Sequence, residues 1–428
     1  MRSGSMSSCA VEVLLCSPRV WQRIAFPASL AIAALLTTAC GTTGISGSAF
    51  SGAGSNSLTA PSTTTVNNIQ SIQAGTGPNG TGVNMLLTSV TVCVPGTSSC
   101  QTIPNILVDT GSVGLRLFAS VVTLSLPRLT DASGNPVGNC VAFANTTYAW
   151  GPVATADIRI AGEFASSVPM QLVGVSGFPA APSACDTGTT SLDTATLDAN
   201  GILGVGVFQQ DCGSACVTSG AQLPSIYFGC PSSGCVTEAV SLQQQVQNPV
   251  TRFPQDNNGF AIYLPALDTT GNQTVPGSLI FGIGTQSNNV LSSVQIYTAD
   301  TNGNIAAMFS GTTYTNSFVD SGSEAVFFLN SSTLGVPLCA SNAAFYCPSS
   351  PISYSAIITG SNGAANTAAF GVANAEALFG TGKVAFNNLG GPTASGFDFG
   401  LPFFFGRYVF VAIQGENTSS GVGPFWAF

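Results

Sequence analysis

Ile106-Leu107-Val108-Asp109-Thr110-Gly111-Ser112 and, 211 residues later, Ser317-Phe318-Val319-Asp320-Ser321-Gly322-Ser323 follow one pattern. In each, an apolar run delivers an aspartate into a tight turn of Thr or Ser, Gly and Ser. Glycine lets the backbone turn sharply beside the carboxylate, and the short hydroxyls can hydrogen-bond it. Asp186-Thr187-Gly188-Thr189 has a similar turn, but Ser183-Ala184-Cys185 before it is no apolar strand. The apolar run makes the duplicated pair informative, and a turn repeated in two halves can bring two carboxylates face to face.

Composition narrows the chemistry those carboxylates serve. The chain has 428 residues, 45% of them hydrophobic and 6% charged, and it contains no histidine. Its length exceeds what one core usually serves, so two lobes are expected. Without histidine there is no Ser-His-Asp or Cys-His nucleophile and no His-ligated zinc. Nine basic residues against eighteen acidic ones argue against nucleic acid as a partner, because phosphate neutralisation needs clustered Lys and Arg.

Residues 1–40 read as a signal peptide. Arg19 and Arg23 precede the apolar stretch Ile24 to Thr38, which is too short to span a bilayer comfortably. Leu36-Thr37-Thr38-Ala39-Cys40 resembles a bacterial lipobox, with Cys40 as the lipidated residue, although Thr37 stands where leucine is usual. The expectation is a periplasmic or outer-membrane lipoprotein, held to the membrane only by that anchor, with ordinary secretion as the alternative. Ten cysteines remain beyond Cys40. Cys93 and Cys100, Cys212 and Cys216, Cys230 and Cys235, and Cys339 and Cys347 lie close in sequence, leaving Cys140 and Cys185. An even set in an exported chain reads as disulfides, whose connectivity sequence alone leaves open. Zinc fits poorly, since there is no CxxC. Residues 41–75, rich in Gly, Ser and Thr, read as a flexible tether.

The body reads as mainly β. Val90, Val92 and Val94 alternate with Thr91 and Cys93 before the turn signal Pro95-Gly96, and Ile103 to Val108 forms a second run. Further runs are Ala156–Ile160, Ile226–Phe228, Phe260–Leu264, Leu279–Ile283, Val326–Leu329 and Tyr408–Ile413. The best helix candidates are Ala239–Gln247 and Asn374–Phe379.

From about residue 80 onward the chain resembles the pepsin-like aspartic peptidases. Beyond the two turns, Asn200-Gly201-Ile202-Leu203-Gly204-Val205-Gly206 is similar to the family's strand that threads behind the first aspartate. Phe399-Gly400-Leu401-Pro402-Phe403 is similar to its second-lobe counterpart, and Gly277 to Gly284 to an interlobe strand. The resemblance implies a bilobal double β-barrel with a cleft between pseudo-symmetric lobes, here residues 76–285 and 286–428. It implies Asp109 and Asp320 as the catalytic pair, supported by Thr110, Gly111, Ser112, Ser321, Gly322 and Ser323. Ser112 and Ser323 would bond the outer carboxylate oxygens, while Thr110 and Ser321 reach across to lock the turns. The implied protein is an exported aspartic endopeptidase, expected to be a monomer that acts on polypeptides through water, without cofactor or metal.

Three departures concern specificity and pH dependence. Arg116 stands in the region where the family has a tryptophan. The flap, near Thr147 to Gly151, looks shortened, with Tyr148 and Trp150 as candidates to close over substrate. Leu401 follows Gly400 where many relatives carry an aspartate. The alternative is a non-catalytic, surface-anchored binding protein on the same scaffold.

Overall fold

The computed structural model describes residues 68–186, 190–218 and 223–428. The signal peptide, Cys40 and tether residues 41–67 lie outside the described residues. The fold is mainly β, as the sequence implies, and no helix among the described residues is long and apolar enough to cross a membrane.

Six strands of the first half close into a barrel. Met85–Cys93 pairs with Cys100–Asp109, which pairs with Gly201–Val205, then Val113–Phe118, Glu163–Val173 and Thr147–Ile160. The ring closes where Thr91 of the first strand meets Arg159 of the last. The second half is built on a seven-stranded sheet, in the order Ala365–Val372, Ile352–Thr359, Ile305–Phe309, Thr312–Val319, Phe397–Phe399, Val326–Phe328 and Gly390–Gly391. A shared layer joins the halves: Ile69–Gly75, Val275–Phe281, Gly259–Leu264, Arg407–Ala412, Phe425–Ala427 and Ile296–Thr298 pair in that order.

The two halves repeat one local topology. Cys100–Asp109 runs parallel to Gly201–Val205, which is antiparallel to Val113–Phe118. Thr312–Val319 runs parallel to Phe397–Phe399, which is antiparallel to Val326–Phe328. Each Asp-Thr/Ser-Gly-Ser turn therefore joins two strands that grip a third between them.

Two sequence expectations need correction. The tether ends earlier than residue 75, because Ile69–Gly75 is a strand whose Ile72 and Ala74 are buried. It gains order by inserting between Val275–Phe281 and Met85–Cys93, partners that its own composition does not reveal. Ala239–Gln247 is not helical. Its backbone and side chains bond elsewhere: Val246 N donates to the Tyr227 hydroxyl at 2.6 Å, and Gln245 pairs with both Gly213 N and Gly213 O at 2.8 Å. Pro249 also disfavours helix just upstream. Ala375–Phe379 is a helix, capped by Asn374, whose Oδ1 accepts from Ala377 N at 3.0 Å.

Five disulfides pair Cys93–Cys100, Cys140–Cys185, Cys212–Cys216, Cys230–Cys235 and Cys339–Cys347. Such crosslinks persist in oxidising compartments, so they are compatible with an exported, non-cytoplasmic protein.

Candidate active site

The two turns meet. In each, the aspartate accepts from the glycine two residues on: Gly111 N lies 2.8 Å from Asp109 Oδ1, and Gly322 N lies 2.7 Å from Asp320 Oδ1. These local bonds are what an Asp-x-Gly turn favours. Gly111 N also reaches Asp320 Oδ1 at 3.1 Å, and the two carboxyl groups hydrogen-bond each other. The glycines are required by proximity. A Cβ on Gly111 would come within 2.7 Å of the Asp320 carboxyl, and one on Gly322 within 2.7 Å of Asp109 Oδ1.

Reciprocal bonds lock the turns together. Thr110 Oγ1 donates to Val319 O and accepts from Ser321 N, both at 2.9 Å. Ser321 Oγ donates to Val108 O at 2.8 Å and accepts from Thr110 N at 3.2 Å. Ser112 Oγ donates to Asp109 Oδ2, and Ser323 Oγ donates to Asp320 Oδ2 at 2.9 Å. All eight candidate residues are thus brought into one cluster.

Both aspartates have no exposed surface. Two carboxylates in contact and out of water cannot both ionise, so they hold one proton between them and titrate as a pair. Burial raises Asp109 above the usual carboxylate range, opposed by hydrogen bonds involving Asp320, Ser112 and Gly111 N. Asp320 is raised well above it, first by burial, then by the charges of Asp109 and Asp398.

The region around the pair departs from the expected lid. Tyr148 and Trp150 lie on the long strand Thr147–Ile160 and are buried against Cys140, Cys185, Phe178 and Phe228. Trp150 Nε1 donates to Pro179 O at 2.8 Å, and its ring meets Phe228 edge-on. Both rings serve core packing, so the aromatic-lid expectation gives way to the simpler one of core aromatics. Arg116 is likewise buried. Its guanidinium reaches Asn139 Oδ1 and Gln171 Oε1 at 2.6 Å and forms an ion pair with Asp211 Oδ2 at 3.0 Å. Tyr227 donates to the other Asp211 oxygen at 2.5 Å.

Sequence reasoning passed over several buried acids, among them Asp211, Glu324 and Asp398. A signal existed for two of them. Glu324 directly follows the second turn, and Asp398 interrupts the apolar run Phe397-Asp398-Phe399 before Gly400. The acids and cysteines nearest to metal-ligand spacing among the described residues are Cys339, Cys347 and Glu376, and both of those sulfurs are spent in a disulfide.

Residues 61–428 match the family described as Protein of unknown function (DUF3443), and the chain belongs to that family. No curated protein matches the chain. Among solved structures, it is similar to an aspartic proteinase from Irpex lacteus at 15% identity, over 83% of this chain and 96% of that one, with a TM-score of 0.47.

Proposed function

We propose that this DUF3443 member is an exported aspartic endopeptidase that cleaves polypeptides with a water activated between Asp109 and Asp320. The observation that carries this reading is the hydrogen-bonded carboxyl pair in two interlocked, topologically equivalent turns. In such a site the ionised carboxylate takes a proton from water as the water oxygen bonds to the peptide carbonyl carbon. The protonated carboxyl gives its proton to the carbonyl oxygen. Collapse of the resulting diol, with a proton passed to the departing nitrogen, breaks the peptide bond and leaves no covalent enzyme adduct. The chemistry asks for no metal and no cofactor.

The test is digestion of an unfolded protein between pH 3 and 7, with the native chain beside Asp109→Asn and Asp320→Asn and with pepstatin as inhibitor. Each substitution should reduce kcat by about 10³-fold or more, since either removes one half of the acid–base pair. Absence of cleavage by folded, disulfide-intact protein at every pH would sink the reading.

The second reading is a binding protein anchored at the cell surface, and it has its own support. Both carboxyls are fully buried, and Tyr148 and Trp150 pack in the core. Under that reading the same digestion yields no products while the fold remains intact.

A further inference from the structure

Away from the two turns, a cavity of about 170 Å³ lies in the second half, where the shared layer meets the edge strand Ala365–Val372. Tyr297, Phe403 and Phe428 give it aromatic walls, and Arg407 stands among them. Asn366 and Thr367, both exposed on the edge strand, border its mouth. None of these residues belongs to the aspartate cluster.

The walls are held by their neighbours. The rings of Tyr297 and Phe428 stack at 4.7 Å, and Phe428 meets Phe403 edge-on at 4.9 Å. Tyr297 sits in the ladder of Ile296–Thr298 with Phe425–Ala427, and its hydroxyl hydrogen-bonds the Asn366 side chain. Tyr297 and Phe403 are each 1% exposed, so these walls belong to the packed interior.

Arg407 is a partly buried cation with no anion beside it. Its Nη1 donates to Phe403 O at 2.5 Å, and its guanidinium carbon lies 4.4 Å from the centre of the Phe403 ring. A guanidinium has five N–H donors, and stacking on a ring spends its face while leaving its edge for hydrogen bonds. Among the described residues no carboxylate, that of the terminal Phe428 included, comes within ion-pair distance of it. Arg116 is the contrast: Asn139, Gln171, Val113 O and Asp211 all meet its nitrogens. Arg116 Nε is sealed away without a partner, whereas no Arg407 nitrogen is sealed in that way. The spare donors of Arg407 therefore stay reachable from the cavity it lines.

The occupant follows from this chemistry. A guanidinium fork matches a carboxylate through two parallel hydrogen bonds. An apolar cavity of about 150 Å³ accepts a benzene ring, so this one has room for a single ring. A phosphate dianion would lose more hydration than a monoanion on entering aromatic walls. The chain's formal net charge of −9 repels anions at long range, so affinity has to come from contact inside the cavity.

We propose that this cavity is a binding site for a small aromatic monocarboxylate, its carboxylate paired with Arg407 and its ring set among Tyr297, Phe403 and Phe428. The site is separate from the carboxyl pair and does not depend on whether that pair cleaves peptides.

The probe is benzoate, titrated into the folded, disulfide-intact chain while backbone amide signals are followed by NMR. Saturable shifts should be largest at Thr367, Arg407 and Phe428, with a Kd on the order of 1 mM. Benzamide, which has the shape without the charge, and acetate, which has the charge without the ring, should each bind about tenfold more weakly or worse. Arg407→Met should weaken benzoate by about tenfold or more. Thr367→Trp, at an exposed edge position, should block the mouth while leaving the packed walls alone, and it serves if the arginine variant does not fold. Absence of saturation, shifts confined to Gly111 and Gly322 of the turns, or equal binding of benzamide would each overturn the proposal. So would undiminished binding to a folded variant, or inorganic phosphate that displaces benzoate at equal concentration.

Discussion

The first and second halves of the molecule build the same turn on different foundations. The first uses a closed barrel, four of the five disulfides and a buried ion pair, Arg116 with Asp211. The second has one disulfide and a sheet backed by packed aromatics, in which Phe328 meets Phe309, Tyr346, Tyr354 and Phe370 edge-on and stacks on Phe397. Their buried acids differ in the same way. Asp211 keeps a cation beside it, whereas Glu324 is met by burial alone and Asp398 faces Asp320. In the first half Arg116 offsets part of the cost of burying Asp211, although burial still raises that carboxyl; in the second, burial acts on Glu324 unopposed. The geometry of the turn is therefore set by the reciprocal bonds between halves, and the proton affinity of each side by what lies behind it.

The largest effect should appear when the second half is relieved of its acid. Glu324 is raised by burial to about 8 in the folded chain, against an ordinary value of 4.5. Between those values the folded state keeps a proton that the unfolded state has released. Its contribution to stability is thus fully present below about pH 4.5 and is lost as pH rises toward 8, at most on the order of 5 kcal/mol. Glu324→Gln should leave acid stability nearly unchanged and flatten the fall in Tm from pH 4.5 to 8. Glu163, raised to about 7 by burial and by its contact with Asp256, adds a decline of the same sign. A fall in Tm that Glu324→Gln leaves as steep as before would break the contrast between Glu324 and Asp211.

Next in size are the two foundations themselves. Arg116→Met leaves Asp211 buried without its cation, which should cost about 3–5 kcal/mol in a denaturant melt. Phe328→Ala opens a cavity among five rings and should cost about the same. The informative difference is pH: the Arg116→Met deficit should shrink in acid, where Asp211 can protonate, while the Phe328→Ala deficit should not. Removing the longest crosslink with Cys140→Ala and Cys185→Ala should cost about 2–4 kcal/mol, because it frees a 45-residue separation in the unfolded chain. Loss of protection from hydrogen exchange confined to the first half would show that the disulfides serve that half alone.

What the sequence made legible follows from where each signal resides. The two turns and their threading strands could be read because their chemistry is local: an aspartate, a glycine two residues on, and an apolar run that must be buried. The strand Ile69–Gly75 could not, because its order comes from Val275–Phe281, some two hundred residues away. The helix expected at Ala239–Gln247 gave way to tertiary bonds from Tyr227 and Gly213. Tyr148 and Trp150 were visible as aromatics, but only the Cys140–Cys185 bridge and Phe178 and Phe228 decide that they face a core. The acids behind Asp320 were visible as letters; only the ladder register sets Asp398 beside Phe318, two residues before Asp320.

The smallest expected effect lies where the halves are most alike. Thr110 and Ser321 exchange equivalent bonds across the pseudo-dyad, each donating to a carbonyl and accepting an N–H of the other turn. Thr110→Val and Ser321→Ala should each destabilise by about 1–2 kcal/mol, the worth of a lost bond plus a buried N–H or C=O left unmet. Their effects should fall short of adding, because either substitution already spoils the bonds that the other would remove. Equal single costs with clear non-additivity would identify the grip as one symmetric unit resting on two unlike supports. Unequal costs would mean that the barrel and the aromatic sheet pull on the turns with different stiffness. In that case the half whose substitution costs more should also show the larger fall in kcat, since a misplacement of its aspartate by a fraction of an ångström weakens the shared proton bond.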